Sequence, residues 1–170
     1  MTLVARLAAR FATLEAELNA LDAVAGDGDH GSTILRGLRA AEDAADPVAA
    51  FRTATGGTSG SLFAQVLAAL LAQPDGTPLP DALARAAARI GTIGGARPGD
   101  RTMLDALIPA SLAPNAAAAA RAAGQGAEAT RAMPARKGRA RHVEGAGLGH
   151  VDAGARSVAE MLAVLAEWAS

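Results

Sequence analysis

Between Leu21 and Gly31 the chain reads Leu-Asp-Ala-Val-Ala-Gly-Asp-Gly-Asp-His-Gly, which gathers Asp22, Asp27 and Asp29 on one short glycine-rich stretch. Carboxylates brought within about 4 Å of one another without a counter-charge repel by on the order of 4 kcal/mol per pair at an effective dielectric of about 20, so a cation is expected among them. Oxygen donors with no cysteine and a single nearby histidine favour a hard ion such as magnesium. Magnesium accepts a few carboxylates and completes its shell with water and phosphate oxygens, so metal-assisted phosphoryl transfer is the chemistry these residues support best. The plainer alternative is that Asp29 caps the next helix and Asp22 is solvated. Two other motif readings fail. Gly26, Gly28 and Gly31 fit the spacing G-x-G-x-x-G, but no strand precedes them and no βαβ unit surrounds them. An EF-hand loop counted from Asp27 ends on Leu38, where a glutamate is required.

Three further stretches carry weaker signals. Gly56-Gly57-Thr58-Ser59-Gly60 stands immediately before a helical pattern, where small residues admit a ligand close to the backbone and a helix start offers free N–H groups to an anion. A glycine-rich turn between helices explains the same residues. Gly94 to Met103 holds Arg97 and Arg101, candidates for phosphate, and Asp100 at the position of an N-cap; a cap with solvated arginines is the competing reading. The basic run Ala135 to His142 suits an anion or a partner, or is a solvated loop. Asp152 is an ordinary cap for the last helix. The chain has no G-x-x-x-x-G-K-[ST] motif, and its histidines have no serine or cysteine partner at motif spacing.

The elements that must position these loops are helices. Hydrophobic residues make up 51% of the 170 residues, much of that alanine, the best helix former, whereas aromatics account for only 2%. Leu3, Leu7, Phe11, Leu14, Leu18 and Leu21 draw one apolar stripe at helical spacing. Similar patterns predict helices after Gly31, over 48–55, over 61–72, over 80–90, from Met103 toward Pro109, from Asn115 to Thr130, and from Val158 to Trp168. Gln73-Pro74-Asp75-Gly76 reads as a turn and 91–99 as a glycine-rich loop. About eight helices with short connections and no convincing strand predict an antiparallel helical bundle forming a single domain over 1–170.

The net charge of −1 and the scarcity of aromatics argue against nucleic acid. The absence of cysteine excludes disulfides and thiolate chemistry. The apolar run 62–72 is too short to span a bilayer and the N-terminus has no signal-peptide pattern, so a cytoplasmic protein away from membranes is expected.

Read together, Asp22 to Gly31, Gly56 to Gly60, Gly95 to Leu107, Gly126-Ala127-Glu128-Ala129-Thr130, Ala135 to Ala140 and Gly149 to Ala155 resemble, in order, the nucleotide-binding L subunit of dihydroxyacetone kinases. The resemblance covers nearly the whole chain. It implies an all-α, eight-helix antiparallel barrel with ATP or ADP in the loops at one end. It implies two magnesium ions on Asp22, Asp27 and Asp29, and phosphates against His30, Ser32, Thr33, Gly57, Thr58 and Ser59. Gly95, Thr102, Met103 and Arg136 would lie near the nucleoside, with Asp152 and Gly154 also against the nucleotide.

No covalent catalysis is implied for this chain. A separate K subunit would hold the ketose, and the chain alone would be inactive. The family has an ATP-consuming version and one in which bound ADP is rephosphorylated by a phosphoryl-carrier protein of the phosphotransferase system (PTS). A non-catalytic nucleotide sensor, a metal-dependent phosphatase and a fatty-acid kinase domain are the competing readings. This chain departs from the family's usual Asp-Pro-Gly-Ala at Asp152-Ala153-Gly154-Ala155, and its residues 141–148 are unlike the family's common wording.

Overall fold

The computed structural model describes residues 1–72, 76–137 and 145–169. Among them are eight α-helices and no strand: α1 (Leu3–Ala23), α2 (His30–Ala41), α3 (Pro47–Thr55), α4 (Gly57–Leu71), α5 (Leu79–Gly94), α6 (Leu104–Ser111), α7 (Ala116–Ala129) and α8 (Ala153–Trp168). Local chemistry sets the starts. Thr2, Asp46, Asn115 and Asp152 each accept a backbone N–H three residues on, satisfying one donor that the first helical turn leaves without a partner. Pro47 opens α3, where its missing N–H costs nothing.

Each helix packs on the next, and α8 returns to pack on α1, so the eight close into a ring. The connections α1–α2, α3–α4, α5–α6 and α7–α8 therefore share one end of the barrel. Fully buried Leu7, Phe11, Leu18, Leu38, Phe51, Leu67, Leu83 and Leu107 fill the interior, and buried alanines of α5 to α8 let helix axes approach closely. At α6–α7 the approach is close: a Cβ on Gly126 would collide with the Asp105 carbonyl.

Several boundaries depart from the sequence reading. Residues 57–60 form the first turn of α4 instead of a loop before it, because first-turn N–H groups need no partner and Gly60 lies against Thr55. Helix α5 continues through Gly91 to Gly94 and stops at Gly95, which takes the left-handed conformation. Asp100 does not cap α6; its carboxylate accepts the Arg97 N–H inside the preceding turn. Pro109 lies within α6, which ends two residues later. Trp168, the last residue of α8, is 42% exposed. Of the turn expected at 73–76 only Gly76 is described, and of the basic run only Ala135, Arg136 and Lys137; the remainder lies outside the described residues.

Candidate functional site

The α1–α2 connection is organised by Asp22, in the last turn of α1. Its Oδ2 accepts the Gly28 N–H at 2.8 Å and the Asp29 N–H at 3.2 Å, while its carbonyl accepts from Ala25 and Gly26. The chain thereby folds back over the helix end and returns Asp27 and Asp29 to Asp22. One carboxylate oxygen from each of the three lies within 4.8 Å of the others. Three hard oxygen donors so close, with Asp27 and Asp29 exposed, suit a divalent cation with open coordination positions.

Beside this loop, His30 opens α2. Its Nε2 stands 2.8 Å from Oγ of Ser157 on α8, and its ring lies 5.3 Å from that of Phe63 on α4. Burial holds the imidazole below the ordinary histidine value, against the opposing pull of Asp22 and Asp29. The neutral ring is thus positioned as a hydrogen-bonding wall group.

The opposite wall is the segment 95–105 with the start of α8. Asp105 is buried, and its carboxylate accepts the Gly99 N–H at 2.5 Å and the Thr102 N–H at 2.8 Å, shaping the turn that precedes α6. Arg101 holds a left-handed backbone, φ 60°, unusual for a residue with a side chain. Its guanidinium, 3% exposed, donates from Nη2 to the His150 carbonyl at 3.1 Å, with Nη1 3.7 Å from Asp152. Gly147 packs so tightly on it that a Cβ there would overlap the guanidinium. Burial lifts the Asp152 carboxyl to about 6, against the Ala155 N–H and Arg101, while Asp105 adds to the rise.

These loops surround one cavity of about 740 Å³, with walls from all four connections at this end of the barrel. Its volume and mixed polar and apolar lining suit a ligand of nucleotide size. The profile of the DAK2 domain matches residues 24–167. The chain belongs to the DAK2 domain family. It is 38% identical to an L-erythrulose 1-kinase of Mycolicibacterium smegmatis, over 90% of this chain and 32% of that protein. It is 36% identical to a triokinase/FMN cyclase of Rattus norvegicus, over 98% of this chain and 34% of the relative. In three dimensions it is similar to the dihydroxyacetone kinase from C. freundii in complex with AMP-PNP and Mg2+. The TM-score is 0.74 at 33% identity, covering 98% of this chain and 33% of that one. The chain thus spans about a third of the length of these relatives. The resemblance to dihydroxyacetone kinases and the all-α barrel are both borne out.

In this DAK2 domain, Asp22, Asp27, Asp29, His30, Thr33, Gly57, Thr58, Ser59, Thr102, Met103, Asp152 and Gly154 all line the cavity. Ser32 does not. Its hydroxyl donates to Glu15 Oε1 at 2.7 Å and accepts from Asn19 at 2.9 Å, turning it toward α1. Gly95 ends α5 behind the wall, close to Lys137, and the Arg136 N–H donates to the Asp100 carbonyl; in each case a neighbour, Ala96 or Lys137, takes the lining position. Sequence reasoning missed Arg36 and Ser157. Arg36 follows Thr33 by three and Asp29 by seven, a helical spacing that would have put it on the same side. Ser157 had no such signal, since only the packing of α8 brings it to His30.

No helix among the described residues is long and apolar enough to cross a membrane.

Proposed function

We propose that this DAK2 domain binds a magnesium nucleotide and presents its terminal phosphate to a small ketose held by a separate K-type subunit or domain. The observation that carries this reading is the cluster of three carboxylates on the wall of a nucleotide-sized cavity. The donor set fits magnesium: all three ligands are hard oxygens, no thiol is present, and Nε2 of the adjacent His30 is taken up by Ser157. Asp22, Asp27 and Asp29 would hold two ions, which when bound would neutralise phosphate charge and orient the phosphoryl group.

The chain's own residues bind and orient. The first turn of α4, with Thr58 and Ser59, lines the cavity, and the free N–H groups of a helix start and these hydroxyls would suit anionic oxygens there. Of the other lining residues, Thr33 and His30 would face the phosphates, and Thr102, Met103 and Gly154 the rest of the nucleotide. No nucleophile is needed from this chain, since phosphoryl transfer rests on positioning and electrostatics. Relatives named for erythrulose and for trioses point to an acceptor of three or four carbons.

The test is calorimetric titration of ADP and of a non-hydrolysable ATP analogue into the purified chain, with and without magnesium. Binding that requires magnesium and disappears in Asp27→Ala/Asp29→Ala is expected. A folded, nucleotide-free wild-type chain that binds neither nucleotide would overturn the assignment. Magnesium-dependent ATP consumption after adding a K-type partner and dihydroxyacetone or erythrulose would separate a kinase from a sensor.

A further inference from the structure

Among the described residues, three arginine or lysine side chains line the cavity: Arg101, Lys137 and Arg36. Arg101 is buried beside Asp152, whereas Arg36 is exposed and so stands at the rim. Its Nε donates to the Ala54 carbonyl at 2.9 Å, and its Nη2 to the Thr33 hydroxyl at 3.3 Å. The first bond ties α2 to the last turn of α3, just before the glycine turn that opens α4, and the second fixes the guanidinium along α2 itself. Both acceptors are neutral, and they use two of the five N–H donors of the guanidinium. Among the described residues no carboxylate pairs with Arg36, whereas Arg10, Arg101, Arg131 and Arg156 each face one. Its direction is therefore fixed while its charge stays available to a ligand.

The rim is also where exposed Asp27 and Asp29 lie. The apolar lining, Phe63, Ile90 and Met103, is buried and suits the uncharged end of a nucleotide. A phosphate that must reach an acceptor outside this chain belongs at the mouth. We infer that Arg36 is a specificity-determining residue that binds the terminal phosphate of a nucleoside triphosphate and so separates triphosphate from diphosphate. This inference rests on the nucleotide-site reading given above.

The experiment compares Mg-ADP with Mg-AMP-PNP binding to wild type, Arg36→Ala, Arg36→Lys and Asp27→Ala/Asp29→Ala, with thermal melts of each. Loss of a charge-assisted contact to one phosphate is expected to weaken AMP-PNP binding to Arg36→Ala by about tenfold or more, and ADP binding by less than about threefold. Arg36→Lys, which keeps the charge, should recover part of the triphosphate affinity and serves as the test if the alanine variant melts early. Equal weakening of both nucleotides, or of neither, overturns the role of Arg36 while the aspartate site stands. Absence of any wild-type binding removes both readings together.

Discussion

A Cβ on Gly26 would stand 2.5 Å from Oδ1 of Asp22, so the carboxylate that pins the α1–α2 loop fits only because position 26 is glycine. Asp22 Oδ2 holds Gly28 and Asp29 at the same time. Gly26→Ala should push this carboxylate out of register with Asp27 and Asp29. Because the loop is exposed, stability should change by less than about 1 kcal/mol, while magnesium-nucleotide affinity falls by about tenfold or more. Calorimetry beside a thermal melt checks this, and unchanged affinity would show that the trio tolerates the displacement.

Asp105 holds the 97–103 turn through two backbone N–H groups from a buried carboxylate. Asp105→Ala leaves both donors without their acceptor and should destabilise the fold by about 2 kcal/mol or more. Denaturant unfolding measures the loss. Asp105→Asn, which keeps an acceptor oxygen, should lose less.

Gly126 faces the Asp105 carbonyl with no room for a Cβ. Gly126→Ala should therefore separate α6 from α7 and lower stability by roughly 1–3 kcal/mol, despite alanine's better helix propensity. A variant as stable as wild type would mean that the two helices can part without loss.

Asp152 supplies a pH signature. Its carboxyl titrates near 3.8 when unfolded and at about 6 in the fold, chiefly through burial. Between those values the folded chain binds more protons, so this group makes stability fall as pH rises, and the penalty is fully present above about 6. Asp152→Asn removes the titration but keeps an oxygen able to cap α8. The stability of wild type relative to this variant should drop by an amount on the order of 3 kcal/mol between pH 4 and pH 7. Paired melts across that range test the sign, and a flat difference would mean that the folded carboxyl titrates normally.

Ser157 should report on His30. Removing its hydroxyl deprives Nε2 of its 2.8 Å partner, and Ser157→Ala should cost about 1 kcal/mol with most nucleotide affinity kept. A loss of binding as large as that of the aspartate variant would assign Ser157 a direct part in the site.

Much of this architecture was legible because its causes are local. The apolar stripe from Leu3 to Leu21 needs only helical periodicity, and it yields α1. Asn115 caps α7 through a side chain that accepts the N–H of Ala118, three residues on. The departures share one origin. Gly91 and Gly94 break a helix by propensity, yet α5 runs through them, because packing on its neighbours in the ring outweighs about 1 kcal/mol per glycine. Asp100 looked like a cap on spacing alone, but the buried Asp105 on α6 reaches back to Gly99 and Thr102 instead.

The sequence by itself determined the helices, the family resemblance and the aspartate trio, since the eight residues from Asp22 to Asp29 bring three carboxylates close in the chain with two glycines between them. Only the tertiary structure decided which neighbours join them. Ser32 and Thr33 are adjacent, yet one binds back to Glu15 and the other lines the cavity, because successive helix positions point about 100° apart. Ser157 met His30, and Arg101 was buried beside Asp152, through contacts between segments distant in the chain. Such contacts depend on how the ring of helices closes, and local spacing carries no record of that closure.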